Sequence, residues 1–172
     1  MVGTKLTLGP ILFHWDADRK RDFYARIADE APVDIVYLGE VVCSKRSPFF
    51  ERHYPEVIDR LERGGKRVVL STLAEVVLPR ERAMTADLCR QTDYPVEVNN
   101  TAGLSALAGR PHRIGPMMNI YNERAMAYLA RNGATHFTLP TELRREAAAV
   151  LACAAAGIGV SVEVQVFGRA SL

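Results

Sequence analysis

Short runs of β-forming residues recur along this chain with helical spacing between them, and that alternation limits the fold more than any other feature. The β-rich runs are residues 5–8, with room to continue to 13, then 33–38, 67–71, 96–99, 113–118, 135–139 and 160–167. In 18–30 the apolar positions Phe23, Ile27 and Ala31 recur four apart, the period of one helix face. Residues 54–63 set Val57, Ile58 and Leu61 on one face and stop at Gly64-Gly65. Further helices are expected over 79–92, opened by Pro79, over the short 101–108, over 122–131, closed by Asn132-Gly133, and over the Ala-rich 141–156. A strand–helix repeat of roughly 25 residues builds βαβ units and a parallel sheet.

Two parallel architectures compete. A doubly wound sheet normally carries a glycine-rich loop after an early strand, and GxGxxG is absent. A (β/α)8 barrel of the TIM type needs no such loop, but takes about 250 residues. Seven strands and six helices fit in these 172 residues. The expectation is therefore α/β, an incomplete (β/α)8 barrel. Residues 1–172 would form a single domain, the N-terminal part of a longer barrel protein.

Composition removes several function classes. The chain is 48% hydrophobic and 24% charged, enough apolar material for one globular core. Lys+Arg 22 against Asp+Glu 20 gives a charge of +2, and no run of basic residues supplies a local patch, so no nucleic-acid partner is expected. The longest uncharged stretch, 147–162, is mostly Ala and Gly and too short for a membrane span. The first fifteen residues lack the small-residue cleavage site of a secretory signal, which points to the cytoplasm.

In a parallel barrel the strand C-termini open onto one face, and that face carries the chemistry. Six polar residues at or near strand ends, His14, Glu40, Asn99, Asn119, Tyr121 and Glu163, are expected to face this mouth as a substrate pocket, and amide and hydroxyl groups there suit an uncharged or weakly polar ligand. Glu163 and Gln165 lie two apart within the last strand, on one side. The plainer reading is that such residues cap helices, as Thr101 and Thr141 are expected to do. No nucleophile elbow, HExxH pattern or carboxylate cluster marks a catalytic residue. His53, His112 and His136 read as structural histidines, His136 from inside a strand.

The cysteines, Cys43, Cys89 and Cys153, are odd in number and far apart, against a disulfide framework. Cys89 and Cys153 fall in helices and read as packing residues. Cys43 differs: it follows a strand end in GEVVCSKR, beside Lys45 and Arg46, and nearby cations favour the thiolate that binds metal or attacks an electrophile.

With that segment, the chain resembles the UbiV-type branch of the family of U-class peptidases. LGPILFHW resembles the family's opening strand, VDIVYLGEVVCSKR its most diagnostic segment and KRVVLSTLA the next strand. VEVNNTAGLSAL, NIYNERAMAYLARNGATHFTLPTEL and VSVEVQVFGRASL are similar to successive later segments. The resemblance implies an iron–sulfur subunit of oxygen-independent ubiquinone biosynthesis, supporting anaerobic hydroxylation of the quinone ring in a heterodimer with UbiU. It implies a [4Fe-4S] cluster in the full-length protein, held by four cysteines, the first in the CSKR motif and so at Cys43 here. The other three lie in the family beyond the segment resembling VQVFGRASL, and Cys89 and Cys153 do not match them, so these residues alone are not expected to hold the cluster. Two alternatives stand beside it: a U-class, collagenase-like peptidase, and a non-catalytic scaffold or electron-transfer partner.

Overall fold

The structure is a computed structural model and describes residues 3–168. Its strands and helices alternate as β1 (Thr7–Leu8), α1 (Ala17–Glu30), β2 (Ile35–Leu38), α2 (Tyr54–Arg63), β3 (Arg67–Ser71), α3 (Pro79–Arg90) and β4 (Val96–Val98). There follow α4 (Ala102–Leu107), β5 (His112–Ile114), α5 (Glu123–Arg131), β6 (Ala134–Thr138), α6 (Arg145–Gly157) and β7 (Ser161–Glu163). Short helical turns over 44–53 join β2 to α2. The sheet has seven strands in the order β1 to β7, every neighbouring pair parallel. It curls so far that the Tyr37 hydroxyl on β2 reaches Glu163 on β7, 3.0 Å away. The fold is the incomplete barrel of (β/α)8 type expected from the repeat.

Strand alternation sorts the side chains into two layers. Val36, Leu38 and Val68 face outward and meet Tyr24, Ala28, Val57 and Leu61 from α1 and α2. Val96 and Val98 meet Cys89 and Leu107. Ile114, Ala134 and Phe137 meet Met126, Leu129, Leu151 and Ala155 from α5 and α6. Each fully buried Leu or Val contributes roughly 1.5–3 kcal/mol, so the helix-side layer carries the apolar stabilisation. Among the described residues no helix is long and apolar enough to cross a membrane.

Four local expectations are corrected. The last strand stops at Glu163, and Val164, Val166 and Phe167 stand exposed, so Gln165 does not continue the strand beside Glu163. The fifth strand ends at Ile114 rather than 118: Pro116 has no N–H to donate, and 116–118 close into a 3-10 turn. The Ala-rich helix starts at Arg145, because 140–143 form a turn with Leu143 N–H on the Pro140 carbonyl, so Thr141 caps nothing there. Thr101 makes no capping bond either; the Asn100 side chain accepts from Ala102 N–H instead. By contrast Asn122 does cap α5, accepting from Ala125 N–H at 2.9 Å.

Gly64-Gly65 ends α2 for two separate reasons. A Cβ on Gly64 would lie 2.5 Å from the Ala28 carbonyl oxygen, where α2 closes onto α1. Gly65 has φ +75° and open space around it. Gly64→Ala should therefore cost about 2–3 kcal/mol through overpacking, and Gly65→Ala only about 1 kcal/mol of backbone strain. Urea unfolding at constant slope measures both; equal losses would show that the α1–α2 approach is not the limiting contact.

Candidate functional site

The inner face of the sheet carries a small apolar cluster of Ile35, Tyr37 and Val69 on β2 and β3 but is otherwise polar from Ser71 to β7, where barrels of this class are filled with Val, Ile and Leu. Strand pairing sets Ser71, Glu97, Arg113, His136 and Ser161 in one row across β3 to β7. Glu163 is two residues further along β7, and Tyr37 reaches in from β2. Two hydrogen-bonded groups result. In the first, the Tyr37 hydroxyl donates to Glu163 Oε2 at 3.0 Å, Arg113 Nη1 donates to the Tyr37 oxygen at 2.7 Å, and His136 Nε2 lies 3.2 Å from Glu163 Oε2. The Thr7 side chain on β1 also bonds Glu163. In the second, Glu97 Oε2 accepts from the Ser71 hydroxyl at 2.7 Å and from Asn99 Nδ2 at 3.1 Å.

A bulge on β6 creates this row. Pairing shifts register after His112, so that Ala134 opposes His112 while His136 opposes Arg113. The extra residue, Thr135, ties its hydroxyl to the His112 carbonyl at 3.1 Å. Ala134 and Phe137, three apart, then both pack under the helices, and His136 turns inward.

The two carboxyls differ sharply in environment. Glu97 is 3% exposed, and burial pushes its pKa up despite the hydrogen bonds from Ser71 and Asn99. For Glu163, burial opposes ionisation too, but bonds from His136, Thr7 and Tyr37 outweigh it and hold its pKa below the usual carboxylate value. Burial, with the Glu163 charge beside it, raises the Tyr37 hydroxyl well above its ordinary value. The layer thus favours the charged form of Glu163 and disfavours that of Glu97.

At the mouth, three loops are stitched together around Cys43. Glu40 Oε1 accepts from Val42 and Cys43 N–H, each at 3.1 Å. Ser44 donates to Glu81 Oε1 at 2.6 Å, while Glu81 Oε2 accepts from Val77 and Leu78 N–H at 2.9 Å. The Ser44 hydroxyl and those two amides draw the Glu81 carboxyl down to about 2. Arg46 Nη1 reaches the Leu12 carbonyl at 3.2 Å, tying in the loop after β1. The Cys43 thiol is free and half-buried.

Of the six residues expected to form one pocket, Asn99 and Glu163 lie in the barrel interior. Glu40 folds the Cys43 loop. His14 is exposed, its ring 6.0 Å from that of Phe49. Asn119 is exposed in a left-handed turn, and Tyr121, also exposed, bonds Glu142. No hydrogen bond joins any two of the six among the described residues. The interior instead gathers Tyr37, Glu97, Arg113 and His136, which strand-end reasoning passed over. For Glu97 the signal was a charged residue flanked by apolar ones inside a strand, VEV.

Cys89 is buried at the far end of α3, its thiol pushed up to about 11 by burial, as a packing residue would be. Cys153 is exposed on α6, which corrects its reading as a packing residue: at its turn the Ala-rich helix presents Leu151 and Ala155 to the core and position 153 to solvent. Among the described residues no group of three or more His, Cys, Asp or Glu could hold a metal ion. One mouth thiol does not make up the ligand set of a [4Fe-4S] cluster, so the described residues do not fit that group on their own. A cleft of about 470 Å³ opens at the opposite, N-terminal end, lined in part by Cys89, Tyr94, Arg110 and His112. No protein-family model matches the chain, and no solved structure matches it.

Tyr37→Phe removes the hydroxyl shared by Arg113 and Glu163 and should cost about 1–3 kcal/mol. It should also flatten the acid limb of stability. Glu163, with its native pKa depressed, contributes stability at neutral pH that is lost as pH falls through that pKa, and the variant has less to lose. Urea midpoints at neutral and acid pH measure both; an unchanged acid limb would show that the Tyr37 bond does not stabilise the Glu163 anion.

Proposed function

We propose that the chain is the barrel portion of a subunit of an oxygen-independent ubiquinone biosynthesis system, acting in the cytoplasm with a UbiU-type partner in anaerobic hydroxylation of the quinone ring. The observation that supports this reading is the LGEVVCSKR segment with its free, half-buried Cys43 thiol on the loop after β2, at the end where barrel enzymes carry their chemistry. In this reading Cys43 supplies one thiolate of a [4Fe-4S] cluster, and the remaining ligands come from outside the described residues. Glu40 and Glu81 would fix the thiol's position by holding the two loops around it.

The decisive experiment deletes the gene and measures ubiquinone with and without oxygen. Ubiquinone should be lost only without oxygen. Cys153→Ala should restore it, and Cys43→Ala should not, although both proteins accumulate. Unchanged ubiquinone in both conditions would reject the proposal, and restoration by Cys43→Ala would reject the ligand role.

A further inference from the structure

The interior row contains a cation with no anion of its own. Arg113 is half-buried on β5, next to Glu97 in register, yet forms no ion pair within 4 Å among the described residues. Its one hydrogen bond goes to the neutral Tyr37 hydroxyl. Glu163, which shares the Tyr37 hydroxyl with Arg113, is engaged by Tyr37, His136 and Thr7. An unpaired guanidinium in a partly desolvated space is costly, and an oxyanion that accepts from its fork removes the cost.

Neighbouring groups narrow the anion. Glu97 Oε2 accepts from Ser71 and Asn99, while Oε1 accepts no hydrogen bond among the described residues, which leaves that oxygen free to carry a proton toward a ligand. Asn99 is 2% exposed, and its Oδ1, without a hydrogen-bond partner among the described residues, is packed against Gly115, where a Cβ would lie 2.0 Å from it, so Asn99 serves Glu97 rather than a ligand. The row remains reachable: the side chains of His136 and Glu163 are 16% and 17% exposed. A planar anion matches a guanidinium fork plus one neutral acid, whereas a phosphate dianion would meet the Glu163 charge with too few cations.

We propose that the inner layer of the barrel is a binding site for a small carboxylate, anchored by Arg113. Glu97 in its acid form donates to the second carboxylate oxygen. Burial favours that acid form, so binding weakens as pH rises through the Glu97 pKa, where a donor becomes a repelling charge. Tyr37, His136 and Glu163 are the other titratable groups facing the site. Glu163 stays ionised across this range, and Tyr37 stays neutral. This inference does not depend on the cluster reading of Cys43.

Titrate the full chain calorimetrically with acetate, a monoanion at both values, at pH 5.5 and at pH 8, with inorganic phosphate as competitor. Saturable acetate binding is expected, with affinity falling about tenfold or more in Arg113→Gln. Glu97→Gln, which keeps an N–H donor without a titrating proton, should bind with little pH dependence. Far-UV circular dichroism checks that each variant is folded, and Arg113→Lys, which keeps the charge, serves if Arg113→Gln is not. Absence of saturable acetate binding would overturn the proposal. So would affinity unchanged in the folded Arg113 variant, or phosphate bound more tightly than acetate.

Discussion

The bond between Tyr37 and Glu163 joins the second strand to the seventh across the inside of the curled sheet, 126 residues apart in sequence. Parallel strands paired only to their neighbours fix local twist but not how far a sheet bends round. The cross-barrel contacts fix it. Arg113 supports the Tyr37 oxygen from β5, His136 supports Glu163 from β6, and Thr7 meets the same carboxylate from β1. Five strands thus converge on two side chains, and apolar packing under the helices does the rest. Removing one member leaves another buried polar group without a partner, at a cost comparable to the desolvation of that group.

This arrangement depends on one extra residue. Without the bulge at Thr135, β6 would keep its two-residue period, Thr135 would oppose Arg113, and His136 would point at α5 and α6. With it, Ala134 and Phe137 both face the helices and His136 faces Glu163. The hydroxyl of Thr135 holds the bulge shut on the His112 carbonyl. Bulges of this kind re-aim a side chain at a site while leaving the rest of the strand in register. Here the helix-side core and the polar interior are both satisfied by the same five-residue strand.

The repeat of strands and helices was legible because alternation and helical spacing are local, and the order β1 to β7 follows from short parallel connections. The ends of elements were not. Pro116 stopped β5, and the turn at 140–143 delayed α6, because hydrogen-bonding geometry rather than hydrophobic period decides where an element ends. The candidate pocket was half legible. Asn99 was found by its place at a strand end and Glu163 within the last strand, and both lie inside the barrel. Tyr37, Glu97 and Arg113 were passed over because strand ends were searched first, and His136, seen inside a strand, was read as structural. His136 could not have been turned inward on paper, since its orientation hangs on a bulge that no residue pattern announces.

Two kinds of carboxylate divide the work between mouth and interior. Glu40 accepts from backbone N–H groups of its own loop, and Glu81, in the first turn of α3, accepts from those of Val77 and Leu78 just before the helix and from the Ser44 hydroxyl. They act as loop clamps, satisfied by donors that belong to the fold. Glu97 and Glu163 are satisfied instead by side chains, from other strands except for Asn99, and they leave over an Arg113 guanidinium with donor capacity still unfilled. A fold that needed these groups only for stability would do as well with apolar residues of similar volume, since a buried charge network seldom outperforms a packed core. The rim is built to hold a loop bearing Cys43 in place, and the interior retains polar capacity that its own side chains do not use.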